Sequence, residues 1–384
     1  MTNYLFLIEP FLYDANGVAV CYRNIIRIIL AKYSENNNIM IVSPDEYREE
    51  FAEGRDDLES LRLKSYGVSL VFYCYDSLKF IMPGSEVLRK AVQFQPDVIH
   101  CIQPGFCSFW GSFIKHVCRL FCPSTPVLTG GLHSDTQTMV GMYNLNFLYW
   151  PLKLYLKLET AICDAVLCVD HRRNAEKFHL WKLGVDTRLF HPKNDYCSLG
   201  GAVIIVARLA PEKNLDLVIH VANLLPQYTF SIYGDGPLRE TLRKTVPNNV
   251  LLKGAVSQQK LAVAYRNSDV SLVPGTAECH PLSLIESLAT GTPVVVADEG
   301  GTKPLIAGQD GKIGYFYHSD ENALSVSKKL WLIMENQPLR EEMGRQGVAF
   351  ASTFTWDKCT KKFLEFHEQL IINSKKRKPY RFLL

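Results

Sequence analysis

The sequence has no cysteine pair at C-x-x-C spacing, no long apolar run and no strong charge of either sign. Its eleven cysteines fall at 21, 74, 101, 107, 118, 122, 163, 168, 197, 279 and 359. An odd, scattered set fits reduced, mostly buried thiols in a reducing compartment better than disulfides or a zinc site. No stretch nears the roughly 18 uninterrupted apolar residues of a membrane helix, so no span is expected. The opening MTNYLFLIEPFLYD lacks a basic leader and is broken by Glu9 and Pro10, which reads as a first core strand rather than a secretion signal. The net charge of +3 is too mild to imply nucleic acid, which needs a clustered basic face. The expected location is therefore the cytoplasm, or peripherally the cytosolic face of a membrane.

What is present is globular composition, 47% hydrophobic and 21% charged, which excludes disorder, collagen-like repeats and coiled coil for the whole chain. At 384 residues it exceeds the ~250–300 at which single cores stop growing, so two domains are expected. Short apolar runs alternate with amphipathic stretches, the pattern of parallel α/β architecture. Strands are expected at 4–8, 39–42, 68–73, 98–101, 126–128 and 165–169, with helices at 17–32, 85–94 and 144–162. A second series of strands follows at 203–207, 229–233, 250–252, 270–273 and 293–297. Between them, GVDTRLFHPKNDYCSLGG (184–201) has linker chemistry. Two doubly wound sheets joined this way would bind ligands outside the carboxyl ends of their strands. The tail KKRKPYRFLL reads as a solvated terminus, with lipid headgroup contact as the alternative.

Two segments carry chemistry. In VIIVARLAPEKN (203–214) a buried strand delivers Arg208, and Lys213 follows in the loop before a helix. Two cations beside a helix N-terminus suit a phosphate or diphosphate, although on this segment alone a pair of surface cations is an equal alternative. In GTAECHPLSLIESLATGTPVVVADEGG (275–301), Glu278 lies in a loop and Glu286 eight positions on, with Pro281 placed to open a helix. Ionised carboxylates only accept hydrogen bonds, so this pair should grip sugar or ribose hydroxyls rather than the phosphate.

These segments resemble the E-x7-E signature of glycosyltransferase family 4, retaining enzymes of the GT-B fold. Gly17 in EPFLYDANG, the GGLHSD turn with His133, WKLGVDTRLFHP and SIYGDGPLRE fall in that family's order. HSD followed by an aromatic-rich helix and LWKLGVD is most similar to sulfoquinovosyldiacylglycerol synthases and some α-mannosyltransferases. The resemblance implies two Rossmann-like domains facing across a cleft: 1–192 binding the acceptor, 193–355 binding a nucleotide sugar, a return helix at 356–372, and the basic tail at 373–384. It implies that Arg208 and Lys213 neutralise the donor diphosphate, Glu286 holds the ribose, Glu278 meets the donor sugar, and His133 lies near the reacting oxygens. Gly17 would approach phosphate through its backbone, Val256 would lie by the base, and Gly234 would lie beside the cleft. Where the family has Phe-Gly, this chain has His280 and Pro281, which removes one N–H and leaves the amides of Leu282 and Ser283.

No D-x-D triplet occurs, so the usual carboxylate site for a metal bridging the diphosphate is missing, and neither metal nor cofactor is expected. The resemblance favours front-face attack with retention, using a UDP-sugar or GDP-mannose and a glycan or lipid acceptor. A degenerate module that binds nucleotide sugar without transfer is the second hypothesis, and a phosphorolytic or hydrolytic relative the third. The segment 142–162 reads as a core helix, with a lipid-facing helix as its alternative. Oligomeric state is left open.

Overall fold

The computed structural model describes all residues except 10–16, 45–57, 59, 73–74, 83, 104, 134–140, 143–145, 170–175, 193–200 and 377–384. Parts of the first loop, of GGLHSD, of the linker and of the basic tail thus lie outside the described residues, as do Cys74 and Cys197. The nine described cysteines are free thiols, all but Cys122 buried.

The first half runs β1 (Thr2–Leu7), α1 (Gly17–Tyr33), β2 (Asn37–Pro44), β3 (Arg62–Phe72), β4 (Tyr75–Met82), α2 (Ser85–Phe94), β5 (Val98–Gln103), α3 (Cys107–Phe121), β6 (Val127–Leu132), α4 (Tyr149–Ile162), β7 (Ala165–Cys168) and β8 (Phe178–Leu180). Its sheet has the order β4-β3-β2-β1-β5-β6-β7-β8, parallel except for the β3–β4 hairpin. β5, β6 and β7 are buried along their whole length, which is why apolar and small residues dominate them. Alternate residues of β1 feed opposite faces: Tyr4 and Phe6 enter one core, Leu5 and Leu7 the other.

The second half runs β9 (Ala202–Val206), α5 (Leu215–Leu224), β10 (Thr229–Tyr233), α6 (Arg239–Thr245), β11 (Val250–Gly254), α7 (Gln258–Arg266), β12 (Val270–Val273), α8 (Leu282–Ala289), β13 (Val294–Ala297), α9 (Thr302–Leu305), β14 (Gly314–Tyr317), α10 (Ala323–Met334) and α11 (Gln337–Ala351). The order β11-β10-β9-β12-β13-β14 is wholly parallel. The final helix, α12 (Trp356–Lys376), leaves this half and packs on α1, with Trp356, Cys359 and Phe363 in one core with Tyr4 and Phe6.

The two passages between halves lie side by side. Val185 donates its N–H to Phe354 O at 2.9 Å, and Trp181 Nε1 donates to Cys359 O at 3.3 Å. A Cβ on Gly184 would come within 2.4 Å of Trp356 N, so only glycine permits this approach.

Four features differ from expectation. The hairpin strand β4, the short β8 and the edge strand β14 were not anticipated, because edge strands carry weaker apolar patterning. The 142–162 segment is not a core helix: within α4 only Leu156 and Glu159 are buried. Phe147, Trp150, Leu154 and Leu158, spaced three to four apart, form an exposed apolar stripe instead. A core helix and an interfacial helix share this periodicity, and only the neighbours decide between them.

Candidate active site

The strand order of the second sheet reverses between β9 and β12, and its charged loops follow these two strands. After β9 the chain passes Arg208 and makes a short 3-10 turn, Pro211–Lys213, closed by Asn214 in the left-handed conformation (φ 48°). Proline starts such a turn without losing a bond, and Asn tolerates positive φ better than most residues. Arg208 Nη1 is 4.0 Å from Oε1 of the buried Glu212, which holds the guanidinium to its own loop. Gly234 and Gly236 let SIYGDG lie against this loop, since a Cβ at Gly234 would sit 2.0 Å from Ala207 O. The Gly234 N–H itself donates to Gly254 O at 2.9 Å. The role of this glycine in the structure is close packing behind Arg208.

After β12 the loop places Glu278 against Lys213, with Nζ 2.5 Å from Oε1 and both side chains about one-fifth exposed. Three glycines shape that loop. A Cβ on Gly275 would fall 2.7 Å from Glu278 Oε1; Gly300 has φ +57°; Gly301 donates its N–H to Glu278 O at 2.8 Å. The ADEGG end of the motif is therefore a backbone clamp on Glu278. Pro281 caps α8, and Leu282 and Ser283 supply its first N–H groups, which helix geometry leaves without intrahelical partners. Tyr265 Oη donates to Ser283 O at 3.1 Å and steadies this end. His280 is buried, its ring 6.1 Å from Phe354 beside the crossing.

Glu286 is buried in α8, and burial pushes its carboxyl up to about 7. Gly17 opens α1, and a Cβ placed there would lie 3.5 Å from Leu282 Cδ1. The N-termini of α1 and α8, one from each half, thus lie close together, and helix N-termini favour an anion beside them. Val256 lies just beyond β11, half-buried, before Ser257 caps α7.

His133 follows β6 in the first half. Its Nε2 is 3.0 Å from Tyr22 Oη, on α1 five residues past Gly17, and its ring stands 5.8 Å from that of Trp181. Burial drives its imidazole down to about 4, so it is neutral near pH 7.

Sequence reasoning missed a second polar cluster at the carboxyl ends of β1 and β5. Phe106 N–H donates to Glu9 Oε1 at 2.9 Å; Gly105 N–H and Ser108 Oγ donate to Glu159 Oε1 at 3.2 and 3.1 Å. The acidic interruption at Glu9 was the available signal. Burial raises both carboxyls to about 8. A carboxyl raised in the folded state stabilises fully below its unfolded value of 4.5 and loses that contribution as pH climbs through about 8. The buried histidines 100, 133 and 367, all shifted down, are neutral in both states above about pH 7 and add no opposing slope there. Stability is expected to fall between about pH 7 and 8, by up to ~1.4 kcal/mol per pH unit for each carboxyl still protonated in the folded state, and this contribution levels off above pH 8. Differential scanning calorimetry of Glu159→Gln should show a shallower fall than wild type in that window; an unaltered slope would refute the assignment.

Comparison with known proteins bears on the family and the fold. Residues 200–349 match the family model described as Glycosyl transferases group 1. The chain is 26% identical over 299 residues to sulfoquinovosyl transferase SQD2 of Arabidopsis thaliana, covering 72% of this chain and 57% of that protein. It is 25% identical over 313 residues to the GDP-mannose-dependent alpha-mannosyltransferase of Mycolicibacterium smegmatis, covering 78% and 80%. Among solved structures, sucrose-phosphate synthase from Thermosynechococcus elongatus superposes with a TM-score of 0.73 at 16% identity, covering 97% and 100%. Anabaena HepE, solved with UDP and glucose, does so at 0.71 and 16%, covering 95% and 99%. The fold is GT-B.

Proposed function

We propose that this chain, a member of glycosyl transferases group 1 through residues 200–349, moves a hexosyl group from a nucleotide diphosphate sugar to a hydroxyl of a glycan or lipid, with retention. The observation that carries this reading is the pairing of Glu278 with Lys213, on the loop that also carries Arg208, at the β9/β12 switch in strand order, an arrangement of cations and carboxylate that suits a diphosphate and a sugar hydroxyl. UDP-sugars and GDP-mannose are the donors of choice, since the relatives include a GDP-mannose-dependent enzyme and a fold neighbour was solved with UDP.

In the reaction the bond between the anomeric carbon and the phosphate oxygen breaks, and negative charge grows on the departing diphosphate. Arg208, Lys213 and the N-termini of α1 and α8 stabilise that charge. Loss of the Phe-Gly amide at Pro281 is offset by the amides of Leu282 and Ser283, which open α8. Glu278 and Glu286 accept hydrogen bonds from sugar and ribose hydroxyls, and the clamp of Gly300 and Gly301 keeps Glu278 from swinging away. The acceptor hydroxyl attacks from the face the diphosphate leaves, and its proton passes to the leaving phosphate oxygen. His133, neutral, orients the reacting groups by hydrogen bonding. With two fixed cations at the diphosphate, transfer needs no metal.

A thermal-shift comparison of UDP, GDP and ADP tests the donor site. The matching nucleotide at 100 times its dissociation constant should add about 2.7 kcal/mol of stability. No shift with any of the three would refute the reading.

The acceptor side is proposed to meet a membrane. The apolar stripe of α4 carries Lys153, whose Nζ lies 5.0 Å over the Trp150 ring, and no helix among the described residues can span a bilayer. A stripe with adjacent cations suits the interface of anionic lipid, which supports a peripheral position on a cytosolic membrane face. Vesicles containing phosphatidylglycerol should carry the protein in flotation, with binding reduced at least ~5-fold in Trp150→Ser/Leu154→Ser; equal flotation of the variant would exclude this surface.

A further inference from the structure

A chain of hydrogen bonds runs from His133 through the first half of the molecule to the last helix. Tyr22 Oη lies 3.0 Å from His133 Nε2 and 2.8 Å from His100 Nε2. His100 Nδ1 is 2.9 Å from Thr129 Oγ1, which is 2.9 Å from His367 Nε2. His367 Nδ1 ends the chain on Phe363 O at 2.7 Å. The five side chains come from α1, β5, β6, the loop after β6, and α12. Tyr22, His100, Thr129 and His367 are buried, walled by Phe6, Phe363 and Trp181.

The end of the chain fixes its direction. A carbonyl oxygen only accepts, so His367 must donate from Nδ1. Being neutral, His367 then offers Nε2 as an acceptor, and Thr129 must donate to it. Thr129 has one hydroxyl proton, so its oxygen accepts from His100 Nδ1–H. His100, also neutral, accepts at Nε2 from the Tyr22 hydroxyl. Tyr22 has no further proton, so its oxygen accepts from His133 Nε2–H. His133 is left with its acceptor lone pair on Nδ1.

We propose that Tyr22, His100, Thr129 and His367 are positioning residues that lock His133 in the Nε2–H tautomer, with Nδ1 as the nitrogen offered to substrate. A second observation points the same way. A Cβ on Gly131, in GGLH, would fall 2.1 Å from Tyr22 Oη and 2.9 Å from His100 Nε2, so this glycine exists to admit the bond between them. The relay also makes α12 part of the site it returns to: a helix that starts at the crossing supplies the carbonyl that determines a proton's place beyond the carboxyl end of β6. Aromatic rings wall the four buried members, Tyr22, His100, Thr129 and His367, and keep water from them. Hydrogen bonds in such surroundings hold a single arrangement because any break leaves a buried polar atom unpaired.

The proposal rests on the reading of His133 as a residue of the transfer site, and the test separates the two. Long-range proton–nitrogen spectra of the full ¹⁵N-labelled chain, recorded near neutral pH, report the tautomer of His133 directly, with its signals assigned by their loss in His133→Gln. The wild type should show Nε2–H alone. Tyr22→Phe breaks the first link and Thr129→Val a link two residues away; both should give His133 as a mixture with at least ~20% Nδ1–H, and both should lower kcat ~10-fold with the KM for nucleotide sugar unchanged. An Nδ1–H tautomer in the wild type, or Nε2–H alone in both folded variants, overturns the relay. If instead His133→Ala turns over donor as fast as wild type while the tautomer responds as described, the relay stands and the catalytic reading of His133 falls.

Discussion

Replacing Arg208 with Ala is expected to lower kcat for nucleotide-sugar turnover by ~10²–10³, about 3 kcal/mol of transition-state stabilisation. The charge it meets grows only as the glycosidic bond breaks, so kcat should fall by much more than KM rises. The side chain is partly exposed and belongs to a surface loop, held by Glu212 rather than by the cores. Folding should therefore be nearly unaffected, with Tm within a few degrees of wild type. Arg208→Lys should recover part of the loss, since lysine keeps the charge and loses the guanidinium fork. Steady-state kinetics on the two variants decide the matter. A rise in KM with unchanged kcat would place Arg208 in ground-state binding alone.

Replacing Trp181 with Ala is expected to cost ~3–5 kcal/mol, the largest stability effect of a single side chain in this molecule. Trp181 is 1% exposed, lies within 5.5–6.2 Å of the rings of Phe363, His133 and Tyr22, and donates to Cys359 O. Its removal opens a cavity where the chain leaves the first half and where α12 arrives. It also removes the hydrogen bond from Trp181 Nε1 to Cys359 O. Calorimetry should show a fall of roughly 10 °C or more in the transition that includes the first half. Trp181→Phe, which fills most of the volume, should cost less than half as much. A fall below ~2 °C for the alanine variant would mean that the crossing is not held by this residue.

The parts of the molecule legible in sequence are those where one short segment contains the whole reason for its structure. β9 and β13 are buried on both faces and so appear as bare apolar runs, and β5 and β12 are mostly apolar. PEKN announces its turn because Pro and Asn occupy the two positions that demand them, and Glu278 and Glu286 share one loop and helix. The Lys213–Glu278 contact spans 65 positions, yet it follows once β9 and β12 are neighbours. What stayed hidden depends on distant partners. The exposure of Trp150 and Leu154 reflects what does not pack on α4, and no periodicity encodes that. Tyr22, His100, Thr129 and His367 lie in four separate segments, and each alone reads as an ordinary buried polar residue. His100, a lone imidazole inside the apolar strand VIHCIQ, was the faint signal that a buried polar network existed.

The most direct test of the account is an anomer-resolved reaction of the purified chain with UDP-glucose, GDP-mannose and a mixed lipid and glycan acceptor extract, followed by NMR. The account predicts that one α-linked donor is consumed, that the sugar appears first with α configuration in product or hydrolysate, and that Arg208→Ala abolishes the signal. First appearance of the β anomer, or equal consumption by wild type and Arg208→Ala, would contradict it.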